Sequence, residues 1–177
     1  MKRAMKGKLG LITAAKALQD EILNPQMSFD DDSGLLALET KLAANAKKVA
    51  LMVLGTAAQK YMTALAEQQE VLLNAADIIM DAYQMETAVL RAKKFADANG
   101  EEAAANYIDM AAVFCNDAIQ RVDIKARNTI AAIAEGDEGR TLLIALKRFT
   151  KNNSPINTIS ARQRIAQILI EANTYAF

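Results

Sequence analysis

The sequence predicts an all-α protein, an antiparallel bundle of three or four long helices with shorter terminal helices packed on it. Apolar residues recur at spacings of three and four over most of the chain, which is the period of an amphipathic helix. Seven Gly and two Pro among 177 residues are too few for a turn-rich β protein. Hydrophobic residues make up 52% and charged residues 24%, so the chain can bury a core.

We interpret residues 1–177 as a single helical domain, because this length suits one hydrophobic core. The pattern divides it into an N-terminal amphipathic helix (1–24), a linker (25–34), a bundle of long helices (35–135) and short C-terminal helices (136–177). The sequence has no convincing repeat of fixed period, which disfavours a helical solenoid.

The N-terminal helix is predicted from an apolar stripe that ends before Asn24 and Pro25, two residue types that stop a helix. The stripe consists of Leu9, Ile12, Ala15, Leu18 and Ile22. The stretch that follows has no period and contains three consecutive aspartates from Asp30 onwards, which indicates a linker.

A long helix is expected from Leu35 to about Gln69, because apolar positions follow helical steps and no Pro intervenes. No residue between Val49 and Ala58 is charged, so we expect other helices to surround the middle of this helix. Gly55 lies in that stretch, where Gly destabilises a helix by about 1 kcal/mol relative to Ala. Close approach of another helix would account for it, and a local kink is the alternative.

A third helix is expected from about Val71 to Ala98, with Asn99 and Gly100 ending it because both types tolerate a left-handed backbone. Its predicted inward stripe consists of Leu72, Ala75, Ile79, Ala82, Met85, Val89 and Ala92.

A fourth helix is expected to open at Glu101 and Glu102, whose charge suits the positive end of a helix. Its predicted inward face consists of Tyr107, Met110, Phe114, Ala118 and Val122. Two acid–base pairs four residues apart are expected on its exposed surface, Asp117 with Arg121 and Asp123 with Arg127.

Two shorter helices are expected in the C-terminal part. Residues 136–139, Gly-Asp-Glu-Gly, predict a turn, and the first helix follows with Leu142, Leu143, Leu146 and Phe149 as its apolar residues. Residues 152–155 interrupt the pattern. A last helix is predicted from about Asn157 to Ala172, capped by Asn157 or Ser160. Its apolar face consists of Ile159, Ile165, Ile168 and Leu169.

Charge and residue usage exclude several classes of function. Twenty-one basic residues balance twenty-one acidic ones, so no net field attracts nucleic acid. The chain has no His, which excludes His-based catalytic triads and His-ligated zinc or di-iron sites. The single Cys115 excludes an internal disulfide, and we interpret it as a small buried apolar residue, because no His is present to act as its base.

Four carboxylates are the remaining candidates for catalysis or metal binding, namely Asp77, Asp81, Glu86 and Asp109. Asp77 and Asp81 share a helical face, but without a second carboxylate set they specify no metal, and a solvated face is favoured. Glu86 adjoins the apolar stripe and could pair with a basic residue of another helix. Accordingly, we assign no catalytic, cofactor-binding or metal-binding residue to this chain.

Two further features have a structural interpretation. Gly136 and Gly139 lack the strand and lysine of a phosphate-binding loop. Core packing is favoured over an adaptable binding surface for the helical methionines, which include Met52, Met62, Met80, Met85 and Met110.

The N-terminal residues superficially suggest a secretory signal or transit peptide, because several lysines precede Leu9 and Leu11. Lys16 interrupts the apolar run, and no segment reaches the roughly 20 apolar residues of a membrane-spanning helix. A cytoplasmic protein is therefore expected, with peripheral contact to a membrane as an open alternative.

Three segments together resemble the C-terminal helical extension of bacterial acyl-CoA dehydrogenases of the very-long-chain type. They are residues 1–10 (MKRAMKGKLG), 46–51 (AKKVAL) and 78–92 (IIMDAYQMETAVLRA). The neighbourhood of Tyr83, Met85, Glu86, Leu90 and Arg91 is the distinctive part. In that family the flavin-containing core comes first, and its catalytic glutamate lies in a Glu-Gly-Thr-Asn type segment that this chain lacks.

The resemblance implies a non-catalytic C-terminal domain of an FAD-dependent acyl-CoA dehydrogenase of fatty acid β-oxidation, packing on the dehydrogenase core and supporting assembly. It places FAD in the parent enzyme and leaves this chain inactive alone. In mitochondrial relatives part of this extension is implicated in membrane association. The corresponding region here lies near residues 24–36, where three aspartates oppose anionic lipid.

An independent helical scaffold is the alternative function, one that binds a protein partner or forms a homodimer through an exposed apolar face. The charge-free stretch from Val49 to Ala58 motivates this alternative. A self-contained enzyme is disfavoured by the missing His and the missing phosphate loop.

Overall fold

The computed structural model describes residues 10–24 and 33–175, apart from the side chains of Leu11 and Ile12. Its helices are α1 (Leu11–Leu23), α2 (Ala37–Tyr61), a 3₁₀ helix (Met62–Glu67), α3 (Gln69–Asn99), α4 (Ala105–Ile133), α5 (Gly136–Phe149) and α6 (Thr158–Ala172). The described ranges contain no β-strand, which confirms the predicted all-α class. Leu9 and residues 25–32 of the predicted linker lie outside the described residues.

Three long helices, α2, α3 and α4, pack pairwise and form the bundle. Cross-helix contacts give their directions. Thr40 and Lys47 of α2 meet Lys93 and Glu86 of α3 respectively, so residue numbers rise on one helix as they fall on the other. α4 runs antiparallel to α3 in the same way. None of the helices α1, α5 and α6 contacts α3. Helix α1 contacts α2 and α5, α5 also contacts α2 and α4, and α6 contacts α4.

The middle of α2 is the centre of the core. Val49, Val53 and Ala57 are fully buried, so the expectation that helices surround the charge-free stretch is confirmed. Buried alanines recur on all three long helices, and they let the helix backbones approach closely. They are Ala43, Ala46, Ala50, Ala57, Ala75, Ala82, Ala92, Ala96, Ala111, Ala112, Ala118 and Ala126.

Gly55 lies where α1 crosses α2. A Cβ atom added to it would lie 3.1 Å from the Cβ of Ala15, which is closer than ordinary van der Waals contact. The close helix approach expected at Gly55 is therefore confirmed.

The predicted continuous helix to Gln69 is wrong, because α2 ends at Tyr61 and Met62 has a φ of +49°. A 3₁₀ helix follows, in which Leu65 is almost fully buried, and α3 then reverses the chain direction. Neither Gly nor Pro marks this break. Packing of α3 against α2 requires a reversal here, and the buried side chain of Leu65 anchors it.

The inward face of α3 differs from the predicted stripe at one step. Ile78 is fully buried, whereas the predicted Ile79 is 47% exposed. The other stripe residues from Ala75 to Ala92 are buried, and Leu72 is partly buried. The predicted inward face therefore has the correct period, but at its centre the buried position is one residue earlier than predicted.

The predicted starts of α4 and α5 are each displaced by a few residues. Residues 101–104 form a turn, and α4 begins at Ala105 rather than Glu101. The predicted turn at 136–139 is the first turn of α5 instead, with Gly136 at a φ of +57°. Asp137 and Glu138 then lie in that first turn, where their charge is favourable.

The last helix begins where the sequence indicates. The Asn157 side chain caps α6 by accepting a hydrogen bond from the Ser160 backbone N–H at 3.1 Å. The predicted inward position of Ile159 is wrong, since this side chain is 69% exposed and Ala161 is the buried residue of the first turn.

The expectation that no segment reaches the length of a membrane-spanning helix is wrong, because the segment from Ala37 to Glu67 is long and apolar enough by length and composition alone. In the fold it contacts α1, α3, α4 and α5, which are the surroundings of the core helix of a bundle.

Candidate functional site

The carboxylates considered as catalytic or metal-binding groups all lie in ion pairs between helices. Asp81 of α3 is 7% exposed and accepts hydrogen bonds from Arg121 of α4, from Nη2 at 2.7 Å and from Nε at 3.2 Å. A nearly buried carboxylate held by a guanidinium is stabilised as a structural ion, because removing its partner would leave the charge uncompensated.

Two other carboxylates of α3 are held in the same manner. Asp77 pairs with Lys125 of α4, and Glu86 pairs with Lys47 of α2. The solvated face expected for Asp77 and Asp81 is therefore wrong, since both carboxylates bind cations of α4. The expectation that Glu86 could pair with a base on another helix is confirmed, and Lys47 is that base.

Asp109 of α4 binds Arg164 of α6 through both of its oxygens, with Nε and Nη2 each 2.7 Å from one oxygen. The hydrogen bond with Asp109, together with its charge, raises the pKa of Arg164 above its ordinary value. This bidentate pair attaches α6 to the bundle. Within the described residues, no group of three or more His, Cys, Asp and Glu side chains lies close enough to hold a metal ion.

The predicted pair of Asp117 with Arg121 is wrong, although both lie on α4 at the expected spacing. Arg121 points to Asp81 and Asp117 binds Arg162 of α6. Ion pairs with neighbouring helices form in place of the pair within α4, because they compensate charges that are partly buried. The other predicted pair, Asp123 with Arg127, is confirmed at 3.1 Å.

Cys115 is fully buried in the core between α3 and α4, as expected from the sequence. Its Sγ lies 3.9 Å from the carbonyl oxygen of Met85, to which the thiol donates. Burial, with a smaller contribution from the charge of Glu39, raises the pKa of Cys115 from 9.0 to about 12. The thiol is therefore protonated at neutral pH and is a poor nucleophile.

The outer face of α3 is a large apolar feature of the described surface. Leu73, Met80, Tyr83 and Leu90 are each between 52% and 68% exposed. Beside them an open groove of about 240 Å³ separates α2 from α3, and its lining includes Leu51, Leu54 and Ile79. Contiguous apolar surface of this kind is typical of a docking site rather than a small-molecule pocket.

The sequence interpretation missed this face, although a signal was present in the spacing of Leu73, Met80 and Leu90. The methionines divide between the two environments. Met52 and Met85 are buried as expected, whereas Met62 and Met80 are more than half exposed.

The fold and the candidate site define a class of protein, a helical-bundle domain. Its carboxylates form ion pairs that hold the helices together, and its exposed apolar surface is the outer face of α3. Residues 45–148, from the middle of α2 nearly to the end of α5, match the family model described as acyl-CoA dehydrogenase, C-terminal domain. The match covers more than half of the chain, so the protein belongs to this family.

Two similar proteins extend the comparison over almost the whole chain. A probable acyl-CoA dehydrogenase of Bacillus subtilis (strain 168) is 38% identical over 175 residues, or 99% of this chain. A crystal structure of acyl-CoA dehydrogenase complexed with FAD from Bacillus anthracis is also 38% identical, matches 99% of this chain and superposes with a TM-score of 0.93.

The chain spans only part of these relatives. It corresponds to 29% of the Bacillus subtilis protein and 30% of the Bacillus anthracis chain. In both relatives, more than two thirds of the polypeptide therefore lies outside the region that this domain matches.

Proposed function

We propose that this chain is the non-catalytic C-terminal domain of an FAD-dependent acyl-CoA dehydrogenase of the bacterial, very-long-chain type. In this proposal it packs on the dehydrogenase core and supports assembly, while the core oxidises acyl-CoA in fatty acid β-oxidation. The observation that carries the proposal is the match of 99% of this chain to only 30% of an FAD-bound dehydrogenase, at 38% identity.

The engagement of the carboxylates supports the absence of a catalytic role. A general base must be free to accept a proton from substrate. Asp77, Asp81, Glu86 and Asp109 are instead each bound by a Lys or Arg of another helix. Within the described residues, these four side chains stabilise the bundle.

The groove beside the N-terminal end of α2 does not fit FAD. This wide groove of about 620 Å³ is lined partly by Lys41, Lys48 and Lys93, but no aromatic side chain of the described ranges lines it to stack on a flavin ring. Lys48 binds Glu21, and Lys93 donates to Thr40. In our proposal the flavin belongs to the core.

Two observations test the proposal, an assay of dehydrogenase activity and the DNA sequence upstream of this chain. The purified chain, supplied with FAD, should not reduce an electron-accepting dye with acyl-CoA substrates of any length. The native reading frame upstream of the Met1 codon should encode a dehydrogenase core that ends in a Glu-Gly-Thr-Asn type segment. Dye reduction by the chain alone, or an in-frame stop codon directly upstream, would contradict the proposal.

An independent helical scaffold is the second candidate function, and the exposed face of α3 favours it. The stretch from Val49 to Ala58 that first motivated a scaffold is mostly buried, so it cannot be the binding face. Capture of a stable partner by a chain that is encoded without a dehydrogenase core would favour the scaffold over our proposal.

For localisation we propose the cytoplasm, with any membrane contact made by residues 24–36. Residues 25–32 of that segment lie outside the described ranges. Asp30, Asp31 and Asp32 oppose anionic lipid, so contact would favour uncharged headgroups. Flotation with phosphatidylcholine vesicles and with vesicles containing phosphatidylserine tests this lipid preference. Binding only to the anionic vesicles would contradict the preference for uncharged headgroups.

A further inference from the structure

An open groove lies between α3 and α4, and the exposed apolar residues of the outer face of α3 do not line it. Its volume is about 290 Å³, and three alanines of the two helices form part of its lining. Ala92 and Ala111 are almost fully buried where the helices meet, and Ala88 is partly buried. Because alanine side chains are short, they leave the space beside this helix contact open.

The larger side chains that line the groove are mainly aromatic. Tyr107, Met110 and Phe114 come from α4, and Tyr175 follows α6. The ring of Tyr107 stacks on Phe95 with the ring centroids 4.3 Å apart, which fixes the position of this ring. Aromatic rings and a methionine sulfur both make favourable contacts with a further ring. The groove therefore suits an apolar ligand body that contains aromatic rings.

Arg91 of α3 provides a positive charge at this groove. Its guanidinium carbon lies 5.9 Å from the centroid of the Tyr107 ring, so the cation lies beside the aromatic part of the lining. The Arg91 side chain is exposed, and its N–H donors are accessible to a ligand from solvent.

Arg91 differs from the other arginines of the described ranges in its lack of an acidic partner. Six of the seven arginines in these ranges have a carboxylate oxygen within 4.0 Å, whereas Arg91 forms no ion pair with a described residue. A guanidinium that the fold does not engage keeps its parallel N–H donors for a carboxylate of a ligand. The six paired residues are Arg121, Arg127, Arg140, Arg148, Arg162 and Arg164.

The lining also indicates the charge and the size of a ligand. Arg91 is the one charged side chain among the described residues that line the groove, which favours a ligand with a single negative charge. A water-sized group takes up about 30 Å³, so the groove has room for an apolar body of roughly ten such groups. Two fused aromatic rings have this size. Small-molecule sites begin near this volume and combine apolar walls with a few polar groups.

We propose that the groove between α3 and α4 binds an aromatic monocarboxylate. The carboxylate accepts hydrogen bonds from the guanidinium of Arg91, and the rings lie against Tyr107, Met110 and Phe114. This ligand site goes beyond the proposed packing on a dehydrogenase core, because it requires neither the core nor a flavin.

Naphthalene-2-carboxylate is a suitable probe, because it combines two fused rings with one carboxylate. We expect the 177-residue chain to bind it with Kd below about 1 mM, as befits a small ligand in an open groove. The chain contains no Trp, so the naphthalene fluorescence can be followed without Trp emission. Methyl NMR of labelled methionines locates the site, since the Met110 signal should shift and that of buried Met52 on α2 should not.

An uncharged analogue, 2-naphthalenemethanol, separates the contribution of the carboxylate from that of the rings. Arg91→Met retains an apolar stem and removes the charge, so it should raise Kd about fivefold or more for the carboxylate but less than twofold for the alcohol. The matched control is Arg140→Met, which changes an exposed arginine of α5 and should leave both Kd values unchanged.

A variant that fills the groove tests the position of the rings. Ala88→Leu should raise Kd about fivefold or more for both the carboxylate and the alcohol, because the larger side chain occupies the space of the rings. Circular dichroism should show wild-type helicity for Ala88→Leu and Arg91→Met, since neither position is fully buried.

Three results would overturn the proposal. The carboxylate could fail to bind at about 10 mM, Arg91→Met could bind it as tightly as the wild type, or decanoate could bind more tightly than the naphthalene carboxylate. If Arg91→Met leaves binding of the probe unchanged but weakens binding to a dehydrogenase core, the groove belongs to the surface that contacts the core. The proposed function would then stand although the ligand site fails.

Discussion

A Cβ atom built on Gly55 of α2 would lie 3.1 Å from the Cβ of Ala15 on α1, so the two helices cross with room for little more than a hydrogen atom at Gly55. This crossing explains why a residue unfavourable in helices lies at the middle of the longest charge-free stretch. Its backbone cost is offset by closer packing of α1 on the bundle.

We expect Gly55→Leu to lower the free energy of unfolding by about 2 kcal/mol, because the larger side chain forces α1 away from α2. Gly55→Ala should be close to neutral, since its gain in helix propensity of about 1 kcal/mol opposes the tight contact. Urea denaturation followed by circular dichroism measures both. Adding Ala15→Gly to Gly55→Ala should leave stability about unchanged, because relief of the contact is offset by a loss of about 1 kcal/mol of helix propensity at residue 15. A Gly55→Leu variant as stable as wild type would contradict the crossing.

We expect Arg121→Ala to destabilise the protein by about 2 kcal/mol, because it leaves the nearly buried carboxylate of Asp81 without its cation. The matched control is Arg140→Ala. Its pair with Asp137 has side chains 80% and 96% exposed, so the loss should be near zero. Thermal unfolding of both variants measures the two losses of stability. Equal losses would show that the burial of Asp81 does not determine how much its ion pair stabilises the protein.

We expect stability to fall above pH 9 through Cys115. Burial raises the pKa of its thiol from 9.0 to about 12, so the folded state retains a proton that the unfolded state loses. This contribution is complete below pH 9 and disappears as pH rises towards 12. Between pH 8 and pH 10 the wild type should lose about 1 kcal/mol more than Cys115→Ala.

Urea titrations at the two pH values measure this difference. Subtracting the result for Cys115→Ala cancels every other titrating group, because both proteins contain those groups. Identical pH dependence of the two proteins would contradict the assignment. The same burial predicts that a thiol reagent labels Cys115 at the rate at which the protein opens, and rapid labelling of the folded chain would contradict it.

We expect Asn157→Ala to destabilise α6 by about 1 kcal/mol, because it removes the side-chain oxygen that accepts from the Ser160 N–H. Asn157→Asp should retain that stability, since a carboxylate also caps a helix. Hydrogen exchange of the α6 amides is the suitable measurement, because α6 packs only on α4 among the described helices and can open locally. Unchanged exchange in Asn157→Ala would contradict the capping role.

The helices themselves could be predicted from periodicity, because burial of one face imposes a repeat near 3.6 residues. The end of α2 could not. Met62 is neither Gly nor Pro, and its positive φ results from a chain reversal that only tertiary packing requires. The ion-pair partners of Asp81 and Asp117 could not be predicted from the sequence either. The spacing along a helix indicates partners on the same helix, but it does not show that a neighbouring helix supplies a cation in a more favourable position.

The orientation of α3 shows a further limit. Its buried residues and the residues of its outer face both repeat every three and four positions, so apolar periodicity alone does not say which set faces the core. Ile78 and Ile79 are adjacent and chemically identical, yet one is fully buried and the other 47% exposed. The spacing of Leu73, Met80 and Leu90 is visible in the sequence, but the fold is needed to show that this set is the exposed one.

Asp77, Asp81 and Glu86 remove that ambiguity. They bind Lys125, Arg121 and Lys47, on two different neighbouring helices. Turning α3 by half a turn would break all three ion pairs at once. The carboxylates therefore help to fix the rotational setting of α3, and with it the side of this helix that the protein shows to other molecules.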